Sequence, residues 1–395
     1  MDNKKNIKLC VSTTTSGSIS SFILPMVPKL KELGFDITFV TSCSPGFVEQ
    51  CPDYVTVFDY PVKRGFDFRG TIRSAIKFKR LCKQQQFDMV IYSTINASLY
   101  CAYGAKHAHV PVRVKNQWGM RYVGFEGWRR TLVRRLEKYT CTCATDIRNV
   151  SEKNKALSVA DGLYQPEKCK VVGKGGTIGI DLSLYDLKNK ERYRKNIREQ
   201  YGIPDDAIVY CFVGRVRTDK GVGELLTAFE RINAKNSHTW LMIVGHNEAD
   251  GVLSELIDNA QLNKQIVFCG LVPKEKVAEH ISASDVLVHP TYREGFGMVL
   301  QEAAAMELPT ITTDIPGASE AIENGVTGLL AKKQDVDTLV DCMEKMLDEP
   351  LRKEFGKAGR KRIETDFERN MMIDRLCEDW LAMYNNRIEQ NNKNK

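Results

Sequence analysis

No stretch of this 395-residue chain holds the roughly 18–20 consecutive apolar residues that carry a helix across a bilayer. Its first residues, MDNKKNIKLCVSTTT, pass from charge straight into a short apolar run, without the length or the small-residue cleavage site of a secretory signal. The expected location is therefore the cytoplasm. CxxC pairs are missing as well: the twelve cysteines are scattered from Cys10 to Cys377, several inside strand-like runs such as IVYCFVG and IVFCGLV. That is how buried thiols are used in a reducing compartment. Cys141 and Cys143 have no second Cys or His pair nearby at zinc spacing, so a structural role is expected for them. Walker and GxGxxG sequences are both absent, which leaves a P-loop triphosphatase or a simple dinucleotide dehydrogenase without support.

What is present reads as an ordinary globular protein, 43% hydrophobic and 27% charged. Its length exceeds what one core usually supports, so two domains are expected. The net charge of +7 conceals an asymmetry: residues 1–180 carry 28 Lys and Arg against 14 Asp and Glu, leaving 29 against 36 for the rest. A basic first half suits an anionic partner such as a membrane surface or a phosphorylated ligand. A solvated charged face accounts for the charge equally well. Nucleic-acid binding is not expected, because no reader helix or aromatic platform is evident.

Strand and helix patterns alternate twice. The first series opens with the apolar run of NIKLCV, a Thr/Ser/Gly loop, and a helix with Leu24, Val27, Leu30 and Leu33 on one face. It continues through DMVIYSTI, a helical NASLYCAYGAKHA and the strand VPVRVKNQ. The second series begins near residue 207 with AIVYCFVG and runs through TWLMIVG, QIVFCG, DVLVHP and PTITT, with helices between. Glycines 173, 175, 176 and 179 suit a bending linker between the two. The last part reads as helical, with a turn at Pro350 and a polar tail after about residue 387. The fold class is α/β: two doubly wound domains facing each other across a cleft, residues 1–178 and 179–375, with residues 376–395 returning towards the first.

Ligands of doubly wound domains bind where strands run into helices. FVGRVRTDKGVGELL and HPTYREGFGMVLQEA both occupy such positions, with glycines that let backbone N–H groups approach an anion and a helix N-terminus that favours negative charge. The first adds Arg215, Arg217 and Lys220, and a diphosphate would suit these groups. In the second, Gly295 and Gly297 argue that Glu294 belongs to a loop, while Glu302 lies in the helix that follows. The DxD string Asp335–Asp337 stands at a predicted helix start, where carboxylates commonly cap.

Those segments, with LMIVG and GLVPKEKVAEHISASDVLVHPTYREGFGMVLQEAAAMELPTITTDIPGASEAIENGVTGLL, resemble the C-terminal domain of family 4 glycosyltransferases of the GT-B fold, in the bacterial capsule, exopolysaccharide and glycan-assembly branch. The resemblance is strong over about residues 145–385; before that it lies mainly in layout. It implies retaining transfer from a nucleotide sugar, usually a UDP-sugar, with no bound metal and no cofactor. It makes Arg215, Lys220 and Glu294 the catalytic set, with Arg215 and Lys220 on the donor diphosphate, Glu294 facing the donor sugar and Glu302 the ribose. Gly214 and the backbone from Gly295 through Phe296, Gly297 and Met298 to Val299 complete the implied donor site. The implied acceptor is a glycan, lipid-linked or soluble. Alternatives are a UDP-sugar 2-epimerase of the same fold and a non-catalytic nucleotide-sugar-binding subunit.

Many family members carry a glycine pair in the first loop and a histidine near the reacting sugar. Here the first loop is STTTSGSIS, with Gly17 alone, and His107 and His109 precede the strand and read as helix-end or solvent residues. Ser16, Gly17, Asn116, Gln117 and Arg121 are the candidate acceptor contacts, with Trp118 beside them. His289 ends a strand, where packing and ligand contact are both open. GWRRTLVRRLEKY places Arg130, Arg134 and Arg135 at helical spacing with Trp128, Leu132 and Leu136 interleaved. Such a helix either lies on an anionic membrane or packs its leucines inward. The expectation is a peripheral protein on the inner face of the cell membrane.

Overall fold

The computed structural model describes residues 6–61, 68–249, 251–261 and 263–393. The chain divides into two units, Met1–Ile178 with Asn370–Lys395, and Gly179–Arg369. The chain returns to the first unit at Asn370, earlier than the expected residue 376.

The first unit is built on a parallel sheet of seven strands: β1 (Ile7–Thr15), β2 (Phe35–Ser42), β3 (Thr56–Asp59), β4 (Met89–Tyr92), β5 (Val112–Gln117), β6 (Asp146–Asn149) and β7 (Cys169–Val171), in the order β3-β2-β1-β4-β5-β6-β7. The direction of winding reverses between β1 and β4. No loop follows β1: the strand runs to Thr15 and a helix begins at Ser16, so the expected Thr/Ser/Gly loop is part strand and part helix. The single helix expected after it is broken. Ser16–Phe22, the 3-10 turn Leu24–Met26 and Val27–Glu32 follow one another, with Pro25 and Pro28 in the first turns of the last two. Proline tolerates a first turn and not an interior.

The terminal helix, Arg369–Lys393, lays Ile373, Cys377, Trp380 and Met383 into the core of the first unit beside Leu9, Phe35 and Ile91. Its Asp379 receives Arg148 of β6 in a bidentate pair, 2.5 and 3.2 Å, and Lys170 at 2.9 Å. The helix continues through most of the expected polar tail.

The second unit holds a parallel six-stranded sheet: β8 (Ile208–Val213), β9 (Thr239–Val244), β10 (Ile266–Gly270), β11 (Val286–His289), β12 (Thr310–Thr313) and β13 (Gly328–Ala331), ordered β10-β9-β8-β11-β12-β13. Its central strands, IVYCFV, TWLMIV and VLVH, are nearly continuous apolar runs because helices cover both faces. Here winding reverses between β8 and β11, which pair directly. Where the chain passes from the first unit to the second, Gly173, Gly175 and Gly176 of the first and Gly179 of the second all have positive φ, from 58° to 90°. Pro350 lies in the first turn of the helix Glu349–Asp366, capped by Asp348, and marks a helix start in place of the expected turn. All twelve cysteines are free thiols, with Cys141 and Cys143 buried.

Candidate active site

The two glycine-bearing loops of the second unit leave the carboxyl ends of adjacent strands at the reversal point, β8 into Gly214–Gly221 and β11 into Pro290–Gly297. They are laced together. The Asp219 carbonyl accepts from the Tyr292 amide at 3.0 Å and the Thr291 hydroxyl at 3.3 Å, and the Asp219 carboxylate holds Arg293 at 2.9 Å. Gly221, at φ 70°, caps the helix Val222–Lys235; a β-carbon there would stand 2.0 Å from the Pro290 carbonyl oxygen, so only glycine lets the loops approach this closely. Gly297, at φ 80°, caps the helix Met298–Ala305. Glu294 therefore lies in the loop and Glu302 in the second turn of that helix.

At the junction, Glu294 accepts from Lys220, and its Oε1 lies 3.0 Å from His289 Nε2. The Glu294 and Lys220 side chains are about one-sixth exposed and His289 is buried. Burial pushes the Glu294 carboxyl up, yet Lys220 first and His289 second outweigh it and hold the group at about 2. Burial, reinforced by Lys220, holds His289 below the ordinary histidine value against the opposing pull of Glu294. The ring stacks on Phe212, centroids 5.5 Å apart and planes at 16°. His289 is thus a member of the cluster, and its position at the strand end was the sequence signal for it.

Arg215 is half-exposed and, with Arg217, faces Glu248 at 3.4 and 3.3 Å. Gly214 makes the backbone turn out of β8. The Phe296 ring packs in the core against Phe367, leaving its backbone at the loop; Gly295, Met298 and Val299 are partly buried. Glu302 is hydrogen-bonded to Tyr185, and burial raises its carboxyl against the opposing influence of Tyr185, Lys274 and Arg369. Tyr185 carries no motif that marks it in the sequence. Asp335 caps the helix Val336–Lys345 by accepting from Thr338, and Asp337 pairs with Arg231 at 2.6 Å, so the DxD string has structural work.

The candidate acceptor residues of the first unit fare differently. Ser16 is buried, its hydroxyl bonded to Ser44. Gln117 is 2% exposed: its carbonyl oxygen accepts from Asn149 and Tyr164 at 3.0 and 2.8 Å, and its amide donates to Ser158 at 3.2 Å. Both side chains, expected as acceptor contacts, are engaged by hydrogen bonds within the first unit. Asn116 lines a small cavity with Trp118, Arg148 and Thr177. Gly17 is exposed with open space about it, and Arg121 is exposed in a 3-10 turn whose first amide donates to Glu137. His107 and His109 are exposed at a helix end, as expected. A feature the sequence did not disclose is Thr94, a β-branched residue at φ 63° held by hydroxyl and amide bonds to Thr14.

Residues 193–362 match the family model Glycosyl transferases group 1, and the chain is a glycosyltransferase of the GT-B fold. It is similar to the capsular polysaccharide biosynthesis glycosyltransferase CapM of Staphylococcus aureus, with 28% identity over 98% of this chain and 99% of that one. It is 24% identical to the UDP-Gal:alpha-D-GlcNAc-diphosphoundecaprenol alpha-1,3-galactosyltransferase of Escherichia coli, over 89% of this chain and 90% of the relative. Among solved structures, Anabaena Alr3699/HepE in complex with UDP and glucose superposes with a TM-score of 0.75 over 95% of this chain and all of that one, at 16% identity.

Proposed function

We propose that the protein is a retaining family 4 transferase that moves a sugar from a UDP-sugar to a polyprenyl-diphosphate-linked glycan in surface polysaccharide assembly. The observation that carries this reading is the meeting of Lys220, Arg215 and the Gly297-capped helix N-terminus at one reversal point, a cationic setting for a diphosphate. Cleavage of the glycosyl–phosphate bond leaves its electron pair on the phosphate oxygen, and these groups stabilise that charge more in the transition state than before it. The same oxygen takes the proton of the acceptor hydroxyl as the new bond forms on the same face. Fixed cations fill the role a divalent metal has elsewhere, and Glu294, held ionised, faces the sugar. The names of the relatives agree: the E. coli protein is named for a UDP-sugar donor and a diphosphoundecaprenol acceptor, CapM for capsule biosynthesis.

Membrane association is part of the proposal. The helix Gly127–Cys143 buries Val133, Glu137, Thr140 and Cys141, not Leu132, and turns Trp128 and Leu132 outward, 71% and 41% exposed, among Arg129, Arg130, Arg134 and Arg135. Exposed apolar residues set among arginines suit an anionic bilayer surface. The test is a screen of UDP-sugars for thermal stabilisation, followed by transfer to polyprenyl-diphosphate sugars in anionic vesicles. The expected result is stabilisation by a UDP-sugar and transfer with retention of anomeric configuration. Turnover of UDP-GlcNAc without any acceptor would instead make the protein an epimerase.

A further inference from the structure

We propose that diphosphate binding draws Lys220 away from Glu294 and that His289 takes up a proton in exchange, so that donor binding is coupled to protonation of a buried histidine. The inference rests on the donor site described above. Three observations carry it. Lys220 is engaged by Glu294, so it must divide its charge between that carboxylate and an arriving anion. His289 Nε2 also lies at hydrogen-bond distance from Glu294 Oε1, and the ring is buried. Its second nitrogen, Nδ1, is buried with no hydrogen-bond partner among the described residues. A neutral ring bonded to a carboxylate through Nε2 places its proton there and leaves Nδ1 as an unpaired acceptor.

The charged groups facing the ring are Lys220, from the loop after β8, and Glu294, from the loop after β11. Neutral groups beside the residue include the Phe212 ring on β8, Gly214, and Thr312 on β12, whose hydroxyl donates to the His289 carbonyl. When Lys220 turns to a diphosphate, Glu294 retains its charge in a buried setting and its attraction falls on His289. Nδ1 is the atom open to the incoming proton. One proton then passes from buffer to Nδ1, replacing beside Glu294 the positive charge that moved to the ligand. Affinity for a diphosphate consequently weakens as pH rises, since uptake on binding means the complex holds more protons than the free protein.

The experiment is calorimetric titration of the full chain with UDP at pH 7.0 in buffers of different ionisation enthalpy, for wild type and His289→Gln. Subtraction removes the titration of the terminal phosphate of UDP itself. The wild type is expected to take up about 0.5 proton per UDP more than the variant. Equal proton numbers in the two proteins, with UDP bound by both, overturn the role of His289 and leave the donor site standing. Failure of UDP to bind the wild type overturns the donor site and this inference together. Nitrogen-15 NMR of the wild-type histidines at the same pH needs no variant: saturation with UDP is expected to move one buried ring about halfway towards the imidazolium pattern, and an unchanged neutral pattern refutes the exchange.

Discussion

The chain contains two reversal points built on the same plan, and they are furnished with different chemistry. Between β1 and β4 the contacts are neutral hydroxyls: Thr14 bonds Thr94, just past β4, through both its amide and its hydroxyl, and Ser12 of β1 bonds Tyr100 of the helix Ile95–His107 at 2.7 Å. Between β8 and β11 the ends are joined by charge, Lys220 to Glu294 and Arg293 to Asp219. Neutral lacing satisfies the polar groups of the framework and leaves little unspent, whereas an ion pair at a glycine loop holds a cation that a stronger anion can claim. The same topology thus yields a crevice held together in one unit and a poised site in the other.

The largest effect expected from breaking the charged side is on turnover. Glu294→Gln keeps the shape of the side chain and removes its charge; sugar transfer is expected to fall by about 10²–10³-fold, while UDP binds no more weakly, because Lys220 loses its competitor. Lys220→Ala is expected to lower both turnover and UDP affinity. Steady-state kinetics beside UDP titration separates the two. An equal loss of UDP binding in Glu294→Gln would remove the carboxylate from the sugar side of the site.

The charged site was legible for a local reason. Glycine spacing and fixed charges lie within two short segments, RVRTDKG and REGFG, and the strand pattern places both at helix entrances. The division of Glu294 from Glu302 also followed from Gly295 and Gly297. The neutral side was not legible, because its meaning depends on partners far away in the chain. Gln117 lies 32 residues from Asn149 and 47 from Tyr164, and nothing in VKNQWG shows that its amide is spoken for. Ser16 is in the same position with Ser44, 28 residues on. Helix continuity failed where Pro25 and Pro28 outweighed the apolar face, and Leu132 was undecidable because a helix with arginines all round has no single polar side.

Gln117→Ala probes the neutral side. Three hydrogen bonds vanish and leave Asn149, Tyr164 and Ser158 short of a buried partner, a cost of about 2–3 kcal/mol. Urea unfolding is expected to show that loss with UDP affinity unaltered. Asn116→Ala, at a residue lining the adjacent cavity, is the counterpart: stability close to wild type and a raised acceptor KM. If Gln117→Ala instead left stability intact and raised the acceptor KM, the framework role assigned to it would give way to ligand contact.

The smallest effect concerns pH. Glu294 is held at about 2 against an ordinary 4.5, so the folded chain binds fewer protons than the unfolded one as acid is added. A depressed carboxylate contributes stability that is complete above the unfolded value and is lost as pH falls towards the folded one. Between pH 5 and pH 3.5 the wild type is therefore expected to lose about 1 kcal/mol relative to Glu294→Gln, which has no proton to gain at that position. Parallel urea titrations of the two proteins across this window measure the difference. Parallel curves would mean that Lys220 and His289 do not hold the carboxylate ionised, and the charged reversal point would then resemble the neutral one in its energetics as well as its topology.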